Sequence, residues 1–128
     1  MKKLAAALFL ITMSMQAENR VYELRTYTAV EGKLDKVLTR FRNHTVKLFE
    51  KHGMVNIGYW VPQDPPRSQN TLIYVVAHKS REAAKKSWDD FRADPEWVKV
   101  RTASEANGKI VEKVESVFMA PADFSKLK

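Results

Sequence analysis

Past a distinct leader, the pattern of apolar and polar positions divides the chain into alternating strand-like and helix-like stretches. Residues 21–28 (V-Y-E-L-R-T-Y-T) are rich in β-branched and aromatic types and read as a strand. Val21 and Tyr27 fall on one face, Tyr22 and Leu24 on the other, which marks the strand as central. Glu23 and Arg25 share the first face, and a buried strand carries such charges only if they are paired or used. Beyond Gly32 the period changes. Leu34, Val37, Leu38, Phe41, Thr45, Leu48, Phe49 and His52 recur at three- and four-residue steps and form one helical stripe. Lys33, Asp35, Lys36, Arg40, Lys47 and Glu50 lie away from it. Gly53 follows as a left-handed cap.

Residues 54–61 predict a second strand, with Val55, Ile57, Tyr59 and Val61 on one face and Trp60 on the other. Three prolines mark residues 62–69 as a loop. The strand expected at residues 70–78 is apolar without alternation from Leu72 to Ala77, so both its faces should be covered. One layer of helices covers only one face. Ser80 caps a second helix that turns Ala83, Ala84, Trp88 and Phe91 inward. Asp94-Pro95 interrupts it, and Pro95 opens a new turn carrying Trp97, with Asn107-Gly108 as the next turn signal. Residues 110–119 are the last strand, with Glu112, Lys113 and Glu115 as candidate partners for Glu23 and Arg25; an extended tail follows from Pro121. The order strand, helix, strand, strand, helix, strand is ferredoxin-like: an α+β fold on an antiparallel sheet.

The leader changes where the chain is expected to act. Residues 1–17 carry Lys2 and Lys3, an apolar run from Leu4 to Ile11, then small and polar residues, the layout of a cleaved signal peptide. Cleavage is expected after Ala17, or alternatively after Ser14, giving a periplasmic or secreted protein with no stable membrane anchor. Residues 18–128 then form a single domain. No cysteine is present, so no disulfide staples an exported chain, and packing or self-association must supply its stability. Net charge is +7, but it is interleaved with carboxylates and no nucleic-acid module is present, so nucleic acid is not an expected partner.

Candidate chemistry is sparse. Without cysteine there is no thiol nucleophile, thiolate metal site or iron–sulfur cluster. His44, His52 and His78 lack metal-binding spacing, all four glycines are isolated, and no nucleophile elbow occurs; neither metal nor cofactor is expected. A pocket between sheet and helices would draw polar groups from Arg25 and Tyr27, a histidine from His44 or His52, and walls from Trp60 or Trp88. Trp88, Phe91 and Trp97 also read as plain core.

The opening V-Y-E-L-R-T-Y-T with E-G-K-L (31–34) resembles the start of the NIPSNAP domain. The resemblance continues in H-G-M-V-N-I-G-Y-W (52–60), S-R-E-A-A-K-K-S-W (80–88), F-R-A-D-P-E-W (91–97) and V-F-M-A-P-A-D-F-S (117–125). It implies a dimeric α/β barrel, two ferredoxin-like sheets packed face to face with helices outside. That implication agrees with the doubly covered strand at residues 72–77. Two functions are expected from it. The first is an exported homodimer that binds a small molecule or plays an accessory role, without established catalysis. The alternative is a cofactor-free monooxygenase or isomerase, with His52 or His44 moving a proton and Arg25 as electrophilic partner.

Overall fold

The computed structural model describes residues 20–128; the leader and its two cleavage positions lie outside the described residues. Strand β1 spans Val21–Ala29. It enters a helix, α1, built of three parts: Leu34–Arg40, a π-helical turn Phe41–Thr45, and Val46–Lys51. Strand β2 (Val55–Trp60) and strand β3 (Thr71–His78) are joined by the proline-rich loop, with one 3₁₀ turn at Arg67–Gln69. Helices α2 (Arg81–Ala93) and α3 (Pro95–Ser104) precede strand β4 (Val111–Met119). The four strands lie in the order β2-β3-β1-β4, every neighbour antiparallel. This is the ferredoxin-like arrangement that the order of elements predicts.

Local chemistry explains the element boundaries. Gly53, at φ +84°, lets the backbone turn left-handed after His52 and enter β2. Ser80 Oγ accepts from the Ala83 N–H at 3.0 Å and starts α2. Asp94 ends α2 in an extended conformation forced by the following proline, and its carboxylate accepts the Glu96 N–H at 2.9 Å to start α3.

The core lies between one face of the sheet and the helices. Alternation on β3 sends Leu72, Tyr74, Val76 and His78 into it, all buried. Phe41 and Phe49 of α1, Trp88 and Phe91 of α2, and Trp97 of α3 meet them, with ring centres of successive pairs 4.6–5.9 Å apart. Rings in that range gain edge and offset-stacking energy beyond their buried area.

Three expectations are corrected. Val55 and Tyr59 do not share a face: a bulge between Asn56 and Gly58 lets Val55 pair with Ala77 and Tyr59 with Tyr74, residues on opposite faces of β3. Arg40, placed off the apolar stripe, is only 6% exposed. It lies off the sheet-facing side of α1 but under α3, where its guanidinium stands 5.0 Å from the centre of the Trp97 ring. Arg25 draws no carboxylate from β4: its ion pair is with Glu23 on its own strand, and Lys113 pairs with Glu115 instead, at 3.4 Å.

The sheet face away from the helices is apolar and half open. Ile73 and Val75 are partly exposed there, Val55 is 50% exposed, Trp60 54% and Val117 55%. The Trp60 ring lies over Gly58, so close that a Cβ on Gly58 would sit 2.5 Å from Trp60 Cη2.

Candidate functional site

Glu23 is the most heavily bonded side chain on the core face of the sheet. It is 1% exposed, and each carboxylate oxygen takes two donors. Oε1 is bonded by His78 Nε2 and Trp88 Nε1, both at 2.8 Å. Oε2 accepts from Ser116 Oγ at 2.6 Å and from Arg25 Nη1 at 3.0 Å. The donors come from β3, α2, β4 and β1, so one carboxylate ties three strands to a helix. Strand register makes this possible, since Glu23 stands opposite Val76 on one side and Phe118 on the other, one step from His78 and Ser116.

The electrostatics follow from that bonding. Burial by itself would raise the Glu23 pKa; the bonds from His78, Ser116, Trp88 and Arg25 overcome it and hold the group at about 2. An ionised Glu23 accepts from His78 Nε2, which places that proton on Nε2 and leaves the buried Nδ1 without a partner among the described residues. Arg25 also donates through Nε to the Tyr74 hydroxyl at 3.0 Å, and Tyr74 donates to the Tyr27 hydroxyl at 3.3 Å. Burial works against the Arg25 charge, but the phenol oxygens of Tyr74 and Tyr27 and the Glu23 carboxylate outweigh it, so the pKa rises. Burial pushes the Tyr74 phenol well above its ordinary range.

A second polar cluster lies where α1 meets α3. His52 Nε2 stands 2.7 Å and Lys51 Nζ 2.8 Å from Asp94 Oδ2. The bonds from Lys51 and His52, with the Glu96 N–H, hold the Asp94 carboxyl below the usual carboxylate range. This ties the C-terminus of α1 to the capped start of α3.

A groove of about 690 Å³ opens between α1 and α3. His44, Asn43 and Arg40 line it from α1; Val100, Ala103 and Ser104 line it from α3. The π turn Phe41–Thr45 forms part of its wall. Val46 N–H bonds back to the Phe41 carbonyl, and the buried Thr45 hydroxyl donates to the Arg40 carbonyl at 3.2 Å. Single π turns of this kind recur at functional sites.

The six residues singled out from the sequence therefore divide. Arg25, Tyr27 and Trp88 are brought together: the Arg25 guanidinium stands 4.2 Å from the Trp88 ring centre and 5.8 Å from that of Tyr27. His44 opens onto the α1–α3 groove, His52 is held by Asp94, and Trp60 stands on the opposite face of the sheet. Sequence reasoning missed His78, Ser116 and Tyr74 as partners of the Glu23–Arg25 pair, and Arg40 as a groove residue. The two-residue period of β3 and β4 put Tyr74, His78 and Ser116 on definite faces, but only the strand register shows what they meet. Among the described residues no group of three or more His, Asp or Glu side chains could hold a metal ion, and no helix is long and apolar enough to cross a membrane.

A four-stranded antiparallel sheet with three helices on one face, and a charged cluster between them, defines a protein of the ferredoxin-like α+β class. A sequence model of the NIPSNAP family matches residues 22–126, and the chain belongs to that family. A NIPSNAP family protein of unknown function from Agrobacterium tumefaciens is 23% identical over 87% of this chain and 96% of its own, with a TM-score of 0.73. A NIPSNAP-like domain protein from Burkholderia xenovorans is 16% identical over 84% of this chain and 90% of its own, at a TM-score of 0.71. More distant is SnoaB, a cofactor-independent oxygenase from Streptomyces nogalater, 13% identical over 84% of this chain and 98% of its own, at a TM-score of 0.57. No curated protein matches the chain.

Proposed function

We propose that this protein is an exported NIPSNAP homodimer that binds a small molecule and performs no chemistry of its own. One observation carries the choice of binding over catalysis. Of the groups that the catalytic alternative would use, His52 is held by Asp94 and Arg25 is bonded to Tyr74 and Glu23, and the Glu23 carboxylate has both oxygens saturated by four donors from within the chain. With its pKa near 2 it takes no proton at neutral pH, and opening it to a substrate would strand four donors, of which His78 and Trp88 are buried. The open space lies elsewhere, in the α1–α3 groove. Self-association is supported by the apolar sheet face bearing Val55, Trp60, Ile73, Val75 and Val117, which a second copy would cover as in a dimeric barrel. Export is supported by the leader at residues 1–17.

Native mass spectrometry of the protein made with its own leader in a Gram-negative host tests the proposal. The expected species is two chains, each lacking residues 1–14 or 1–17, with an added small-molecule mass that is lost on denaturation. An intact leader refutes export, a stable monomer at micromolar concentration refutes the dimer, and turnover of a retained compound refutes the absence of catalysis.

A further inference from the structure

Arg40 is a buried cation without a counter-ion. Its Nε has no hydrogen-bond partner among the described residues, Nη1 donates to Ser104 Oγ at 3.1 Å, and the guanidinium rests against the Trp97 ring. Among those residues no carboxylate comes within 4.0 Å of it; Glu105, the acid with most influence on it, is paired with Arg101 at 3.1 Å. Burial lowers the Arg40 pKa, the mark of a charge held where it is poorly solvated. Arginine is rarely kept so deeply buried unless something pairs with it.

The surroundings of Arg40 indicate what pairs with it. It lines the α1–α3 groove together with two further cations, Lys36 and Lys99, neither of which has a carboxylate partner among the described residues. Two acids, Asp35 and Glu96, line the same groove, and Glu96 reaches Lys51 at 3.8 Å. Three cations against two anions leave one positive charge over, which a single negative charge balances. Val100 and Ala103 supply an apolar strip beside it.

We infer that the groove binds a small amphipathic monocarboxylate, its head group on Arg40 and its apolar part along Val100 and Ala103. This rests on the ligand-binding reading above and adds the charge and class of the ligand. The planar guanidinium pairs with a carboxylate through parallel N–H bonds, and a bound anion restores the stabilisation that burial takes from the cation. The π turn widens α1 beside the groove and presents Asn43 and His44 on the same wall.

Calorimetric titration and amide chemical-shift mapping with decanoate, decanol and inorganic phosphate test the inference on the mature dimer. Decanoate should bind once per chain, with shifts at α1 and α3, and at least about tenfold more tightly than decanol. Arg40→Met should abolish that preference. Because Arg40 also packs on Trp97, the exposed Lys99→Glu serves as a second variant; it should weaken decanoate several-fold, through charge alone, and leave decanol unchanged. Equal binding of decanoate and decanol, untouched by either variant, overturns the carboxylate assignment and leaves the binding site standing. Tighter binding of phosphate than of decanoate also overturns it. Failure of every probe to shift α1 and α3 overturns the inference and the groove as a ligand site together.

Discussion

Arg25 and Trp88 touch each other and hold the same carboxylate. The guanidinium stands 4.2 Å from the indole ring centre, while Trp88 Nε1 and Arg25 Nη1 each donate to Glu23, one to either oxygen. The three side chains form a closed triangle in which every edge is a cation–π contact or a charge-assisted hydrogen bond. Removing one corner weakens the other two without freeing them. Arg25→Met should cost about 2 kcal/mol in urea unfolding, below the 3–5 kcal/mol typical of an ion stripped of its only partner, because three donors still hold Glu23. Unchanged stability would mean that water can replace the guanidinium, and that the triangle contributes nothing to the fold.

Acid should unfold the protein through Glu23. Its folded pKa of about 2 lies below the ordinary 4.5, so the ionised state is the one that folding favours. The stabilisation is full above pH 4.5 and is lost as pH falls toward 2; the difference corresponds to about 3 kcal/mol, of which about 2 should be gone by pH 3. Glu23→Gln should be less stable than the parent at pH 6, and the gap between the two should shrink on acidification. A gap that stays constant from pH 6 to pH 3 would assign acid sensitivity to other carboxylates, Asp94 first among them.

The open sheet face makes a separate prediction about assembly. Val117→Asp and Trp60→Ser both act on side chains more than half exposed in the single chain. Each should change chain stability by less than about 1 kcal/mol while converting the proposed dimer to monomer in sedimentation experiments. Gly58→Ala should act on the same face indirectly. The new Cβ would displace the Trp60 ring, an exposed side chain that can swing aside, and so disturb the interface more than the fold. Dimers unaffected by all three substitutions would place the contact elsewhere.

How much of this was legible in the sequence depended on whether the signal was local. Capping by Ser80, the break at Asp94-Pro95 and the left-handed turn at Gly53 each depend on a residue and its immediate neighbours, and the structure agrees with all three. The family was legible for a related reason, because its short motifs recur in order along the chain. Val55 was misplaced because a bulge has no strong residue signature, and a single extra residue reverses strand alternation. Arg40 was misplaced because a helical stripe records only which side faces the sheet, whereas α3 covers the flank of α1 as well. The partner of Arg25 was sought across the sheet when it lay two residues away. Same-strand neighbours at that spacing point in one direction and, with long side chains, reach each other.

The π turn in α1 leaves the chain a spare residue. A turn closed from Val46 back to Phe41 holds one residue more than an α-helical turn, while Leu34–Arg40 and Val46–Lys51 on either side keep their seats against the sheet. In a regular helix, deleting one residue rotates everything downstream by about 100° and throws its apolar face out of the core. Here, deleting the exposed Asn43 should close the turn to ordinary α-helix and leave Leu48 and Phe49 where they are, so the shortened protein should fold with a near-native circular dichroism spectrum. The same deletion at Asp35, outside the turn, should not be tolerated. Loss of folding on removing Asn43 would show that the wider turn is itself required. Tolerance would make α1 a helix that can change length by one residue without changing its packing, with only the groove wall at Asn43 and His44 altered.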